Sequence, residues 1–128
     1  MSVTFELNNN DGYFISTWTG AITNAEMLTA YKDFFEGEEW SPDLNELANT
    51  SQADLFNITS LGLRQLALYM QQVHKTNGLA SVRTSAYCPQ DLPFKLAIIY
   101  ESWIKESPES IKVFSDVHEA ESWLMRKN

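Results

Sequence analysis

An α/β fold is what these 128 residues predict, and three observations carry that prediction. Some stretches repeat their apolar residues with period two, and others repeat them at helical spacing. The two kinds of stretch follow one another in the order ββαβαβαβα. Turn-forming Gly, Pro, Asn and Asp residues separate them. Strands that alternate with helices require βαβ crossovers and a largely parallel sheet. With an antiparallel first hairpin this becomes a five-stranded mixed sheet with four helices, in one domain spanning residues 1–128. At 14.6 kDa and 44% apolar residues the chain is large enough to bury a core without disulfide or metal staples.

Val3-Thr4-Phe5-Glu6-Leu7 alternates as a half-buried strand does, and Asn8-Asn9-Asn10-Asp11-Gly12 supplies turn chemistry. Tyr13 to Thr19, rich in β-branched and aromatic residues, completes a hairpin and stops at Gly20. Thr23 and Glu26 form a capping box. The helix behind it buries Met27, Tyr31, Phe34 and Phe35 and ends at Gly37. A polar third strand lies between Leu44 and Asn49. Thr59 or Ser60 caps a second helix that runs to Asn77 and stops at Gly78. Leu79 to Tyr87 is the fourth strand. A third helix spans Asp91 to Ser107, with Pro93 in its first turn, where proline is tolerated. Ile111-Lys112-Val113-Phe114 is a short fifth strand, and Ser115, with Asp116 behind it, caps a last helix to Arg126.

Charge and composition exclude several function classes. Nine basic against seventeen acidic residues give a net charge of -8, and the basic residues are scattered from Lys32 to Lys127. Nucleic-acid phosphates are repelled by such a field. The single Cys88 forms no internal disulfide and no cysteine-rich zinc site, which fits a reducing, cytoplasmic setting. The N-terminal stretch lacks the pattern of a signal peptide. Leu96-Ala97-Ile98-Ile99-Tyr100, the longest apolar run, is far short of the ~20 residues a membrane span needs.

The residue types that carry chemistry are thinly spread. His74 and His118 sit on different helices without ligand spacing around them, and both are expected at the surface. Cys88 reads as a buried, inert thiol, and Glu36, Glu38 and Glu39 as a solvated helix end. No phosphate loop, nucleophile elbow or metalloprotease motif is present. No catalytic residue, metal or cofactor is predicted, and the chain reads as non-enzymatic.

The closing third carries a resemblance. Val113-Phe114-Ser115-Asp116, then Ala120 and Trp123-Leu124, match Val-Phe-x-Asp, three residues, Ala-x-x-Trp-Leu. Leu47-Ala48-Asn49 followed by Ala53-Asp54 resembles a Leu-x-Asp strand end, with Asn49 where Asp is usual, and Gly20 fits as well. With the element order, these resemble the SpoIIAA-like family, relatives of the STAS (anti-sigma-factor antagonist) domains. The resemblance implies a binding module. True STAS antagonists carry Asp-Ser-Ser/Thr-Gly at the second helix, whose hydroxyl is phosphorylated. Here Asn57-Ile58-Thr59-Ser60-Leu61-Gly62 keeps the hydroxyls but lacks the acid and displaces the glycine. Thr59 and Ser60 therefore read first as caps, and a phospho-regulated protein-interaction switch is the alternative. The likeness of this family to CRAL-TRIO lipid carriers implies an apolar ligand or a membrane surface.

Two helices carry apolar residues outside their sheet-facing stripes, which either a neighbouring helix or the Trp40 loop covers or which meet a ligand, a membrane or a second copy. At about 100° per residue, Leu92, Leu96, Ile99, Tyr100, Trp103 and Ile104 face the sheet, while Phe94 and Ile98 fall opposite, beside Lys95 and Lys105. In the second helix Leu63, Leu66, Met70 and Val73 are the buried face, and Leu61 and Leu68 lie outside it. Leu61 and Leu68, at i and i+7, are expected in a two-fold homodimer contact. Phe94, Ile98, Lys95, Lys105 and the loop residue Trp40 are the expected ligand or membrane contacts, consistent with a cytoplasmic protein peripheral to an inner membrane. Burying two such side chains at a headgroup boundary contributes roughly 2–5 kcal/mol, and each Lys about 1 kcal/mol at an anionic leaflet.

Overall fold

The structure, a computed structural model, describes residues 2–8, 11–78, 82–105 and 109–125. The elements are β1 (Ser2–Asn8), β2 (Tyr13–Ala21), α1 (Asn24–Phe35), β3 (Asn45–Asp54), α2 (Ser60–Thr76), β4 (Val82–Tyr87), α3 (Asp91–Trp103), β5 (Glu109–Phe114) and α4 (Val117–Met125). α3 ends at Trp103, with Ile104 as its C-cap, short of the expected end at Ser107. Residues 79–81 of the expected fourth strand and the expected helix end at Arg126 lie outside the described residues.

The five strands are ordered β1-β2-β3-β4-β5, antiparallel between the first two and parallel thereafter. Each crossover from β2 onward steps to the next strand in the same direction. Crossovers of one hand then put all three connecting helices on one face. Accordingly α1, α2 and α3 share the large core with Phe14, Trp18 and Ala53, while α4 packs alone on the other face over Tyr13, Leu47 and Phe114.

Local chemistry accounts for the boundaries. Thr23 Oγ1 accepts from the Glu26 N–H at 3.1 Å and Glu26 Oε1 accepts from the Thr23 N–H at 2.9 Å, the capping box of α1. Thr59 caps α2 by accepting from the Gly62 N–H at 3.0 Å. Asp116, rather than Ser115, caps α4, since its Oδ1 accepts from the N–H groups of His118 and Glu119. A carboxylate reaches two orphan donors where a hydroxyl one residue earlier does not.

The third strand is longer than its sequence suggests. Between Thr17/Thr19 of β2 and Asn49/Gln52 of β3 the register shifts by one residue, a bulge held by Asn49 Oδ1, which accepts from the Ser51 N–H and Oγ. The bulge resets the period-two pattern, so Glu46, Ala48 and Thr50 on one side of it share a face with Ala53 on the other. Alternation read across the bulge therefore breaks at Asn49. Gly20, at φ 71°, lies within β2 and the strand continues to Ala21.

Three expectations about burial are corrected. His74 is buried, only 4% exposed, because it lies one turn beyond Met70 on the inward stripe of α2, whereas Val73 is only half-buried. Leu92 and Trp103 of α3 are 40% and 43% exposed; α3 is inward at Pro93, Leu96 and Tyr100, with Ile104 buried just past its end, a narrower stripe than the six residues expected. Phe34 is half-buried and stacks on Phe5 with ring centroids 4.3 Å apart.

Candidate functional site

The space beneath α2 and α3 follows from small side chains at the centre of the sheet. Alternate residues of the central strands, Ala48 and Thr50 of β3, then Ala86 of β4 and Cys88 just beyond it, face the helices. They are too short to meet Leu63, Leu66 and Met70 of α2 or Pro93, Leu96 and Tyr100 of α3, and a cavity of about 70 Å³ remains. Close-packed interiors contain few such spaces.

Two buried acids stand at this cavity. Glu46 on β3 lies opposite Thr84 on β4, and Glu109 on β5 is reached from Thr84, so the three side chains cross the sheet in a row. Glu46 Oε2 accepts from Ser16 Oγ and from the Tyr31 hydroxyl, both at 2.6 Å, and Ser16 Oγ in turn accepts from Trp18 Nε1 at 3.2 Å. Glu109 Oε2 accepts from Thr84 Oγ1 at 2.7 Å and Oε1 from the Tyr100 hydroxyl at 3.0 Å.

Removal from water dominates their ionisation. Burial raises the Glu46 carboxyl to about 7 despite its two hydrogen bonds, and the nearby Glu109 adds to the rise. Glu109 is raised for the same first reason, with Thr84 and Tyr100 opposing. Burial and these carboxylates also hold the Tyr31 and Tyr100 phenols well above their usual range. The Cys88 thiol is buried and pushed up by desolvation, so it is a poor thiolate. Among the described residues no three acidic, His or Cys side chains cluster as metal ligands.

Behind Glu46 a second void of about 10 Å³ lies among Phe35, Trp40, His74 and Thr84. His74 Nδ1 points into the interior without a hydrogen-bond partner, and burial lowers the ring's pKa to about 4.

The residues expected from the sequence fall into three places. Phe94, Lys95 and Ile98 are exposed on the outer face of α3, and Lys105 is exposed just past its end. Leu61 and Leu68 are exposed on α2 and flank Arg64, whose guanidinium lies 5.4 Å from the Trp103 ring of α3. Trp40 is apart from both groups, stacked on Phe35 at 4.7 Å. Thr59 Oγ1 is occupied, since it accepts from Asn24 Nδ2 at 2.9 Å as well as from the Gly62 N–H. A side chain at Gly62 would collide with Asn24, so glycine here lets α1 and α2 approach.

Sequence reasoning missed the acid pair. Glu46 sits in a run too polar to announce a core strand, and Glu109 precedes the apolar run of β5. The available signal was register: an acid two residues before Ala48, in a strand that the element order puts mid-sheet, lands on the helix-covered face.

No family model matches the chain, and no curated protein sequence does. Among solved structures, one from Shewanella loihica PV-4, described as an uncharacterised protein from the DUF3478 family with a SpoIIAA-like fold, is similar to it. The TM-score is 0.59 at 17% identity, over 96% of this chain and 92% of that one. With five strands in sequential order, three helices on one face and one on the other, the protein has a SpoIIAA-like α/β fold.

Proposed function

We propose that the protein is a non-enzymatic SpoIIAA-like binding module that takes an apolar ligand beneath α2 and α3 and associates peripherally with anionic membrane surfaces through those helices. One observation carries this reading. Of the eight large apolar side chains exposed among the described residues, six lie on α2 and α3: Leu61, Leu68, Leu92, Phe94, Ile98 and Trp103. The same two helices roof the cavity. Scattered exposed apolar residues need no explanation, but their concentration over a cavity does. Lys95 and Lys105 provide local positive charge on a chain of net charge -8, and screening over about 8–10 Å lets that local charge act. No helix among the described residues is long and apolar enough to cross a bilayer, so contact is at the surface.

Co-sedimentation with anionic liposomes at low salt tests the membrane contact. Wild type is expected to sediment weakly and to be released by salt, and Phe94→Ser/Ile98→Ser to stay in solution. Absence of wild-type sedimentation at low salt removes the membrane contact. Leu61 and Leu68, two turns apart and both exposed, favour a homodimer as a second use of the α2 surface. Light scattering at tens of micromolar is expected to give a dimer, and a clean monomer refutes it.

A further inference from the structure

We propose that the cavity beneath α2 and α3 binds a small primary alkylammonium ion, with its charged end at Glu46 and its carbon chain directed between the helices. This rests on the cavity being the ligand site, as proposed above, and adds the chemistry of the ligand's head. Glu46 is 4% exposed, and both of its protein hydrogen bonds fall on Oε2. Its Oε1 has no partner among the described residues, although Glu46 lines the cavity. No Lys, Arg or His is among the described lining residues. A buried carboxylate without a protein cation is costly unless it is neutralised by a proton or by a charge that enters with a ligand.

The walls suit a cation. Trp18, Tyr31 and Tyr100 line the same space, with the Trp18 and Tyr31 rings 5.9 Å apart and tilted by 57°. Aromatic faces attract an ammonium group, and a primary ammonium has hydrogen-bond donors for Oε1 that a quaternary one lacks. The rest of the wall, Leu63, Leu66, Met70 and Leu96, suits methylene groups. A cavity of 150 Å³ accommodates benzene, so 70 Å³ holds roughly three or four heavy atoms. n-Propylammonium is the matched probe.

A proton competes with this cation. Around Glu46 the other titratable groups are Glu109, Tyr31, Tyr100 and Cys88 at the cavity, and His74 and Arg83 at the void behind it. His74 is neutral above about pH 4, and the phenols are protonated throughout. With Glu46 at about 7, binding is expected to be about tenfold tighter at pH 8 than at pH 6.

Calorimetry and thermal unfolding with n-propylammonium chloride, n-propanol and sodium propionate, at matched ionic strength, test the proposal. The ammonium ion is expected to raise Tm by roughly 3–5 °C at ten times its Kd, with n-propanol and propionate at least tenfold weaker. Glu46→Gln is expected to abolish the preference for the ammonium ion. Ala86→Val, which narrows the cavity, is expected to weaken all binding while circular dichroism stays unchanged. If n-propanol binds as well as n-propylammonium, the apolar-ligand reading stands and the charged head is overturned. If none of the probes binds at tens of millimolar, both are overturned.

Discussion

The two faces of the sheet solve the same covering problem differently. On the face of α1, α2 and α3, seventeen of the described residues form one buried apolar cluster, and within it the protein accommodates two acids, a histidine whose Nδ1 has no hydrogen-bond partner, and a cavity. On the face of α4 the buried cluster has five of the described residues, and the polar groups Ser85 and Arg83 there are satisfied directly. Ser85 Oγ donates to the Ala120 carbonyl at 2.8 Å, and the Arg83 guanidinium donates to the Trp123 carbonyl at 3.2 Å while lying 5.6 Å from its ring. Ala120 is fully buried. Buried charge and empty space both cost stability, so they sit where the apolar packing is thick enough to offset them. The thin face is a close-fitting cover.

Truncating one aromatic on each face should separate the two most strongly. Phe14 is 2% exposed and meets the rings of Phe5, Phe34 and Phe35, so Phe14→Ala should cost about 3–5 kcal/mol. Phe114 meets the Trp123 ring at the sheet edge, and Phe114→Ala should cost at least about 1 kcal/mol less, given its shallower burial. Urea denaturation of both variants measures this, and equal costs would break the comparison.

The thick face should also control the pH dependence of stability. Glu46 titrates at about 7 in the folded protein against an ordinary 4.5. Its stabilising contribution is complete below pH 4.5 and is lost as pH rises through 7; Glu109 acts in the same sense. His74 titrates at about 4 against 6.5, so its contribution is complete above pH 6.5 and is lost as pH falls toward 4. The two slopes oppose each other in the wild type. Relative to wild type, Glu46→Gln should lose roughly 2–3 kcal/mol between pH 8 and pH 5, and His74→Leu should gain roughly 2 kcal/mol over the same range. Denaturation midpoints across that range check both signs.

Adding volume is the finer probe. Ala120→Val should destabilise by roughly 1–3 kcal/mol by overpacking α4. Ala86→Val, next to the cavity, should change stability by less than about 1 kcal/mol, since the added methyl groups have room and valine suits a strand. Comparable losses at both positions would show that the cavity side has no slack.

The sequence made most of the frame legible. Hydrophobic period, the Thr23/Glu26 box and the Thr59 cap are local signals, and the structure places α1 and the start of α2 where they point. Gly20 and the β3 bulge were obscured because a bulge resets the alternation on which strand reading depends. The outer positions of Leu61, Leu68, Phe94 and Ile98 followed from helical spacing and are exposed as expected. The acid pair was not legible, since Glu46 and Glu109 are 63 positions apart in sequence and meet through Thr84 only once three strands pair. The burial of His74 follows from its spacing one turn beyond Met70, which residue type alone does not reveal.

Hydrogen–deuterium exchange with and without anionic vesicles at low salt tests most directly the claim that the face under α2 and α3 is the working face. Protection is expected in Ser60–Thr76 and Asp91–Trp103, with Val117–Met125 unchanged. Protection confined to α4, with α2 and α3 unaffected, would contradict the account.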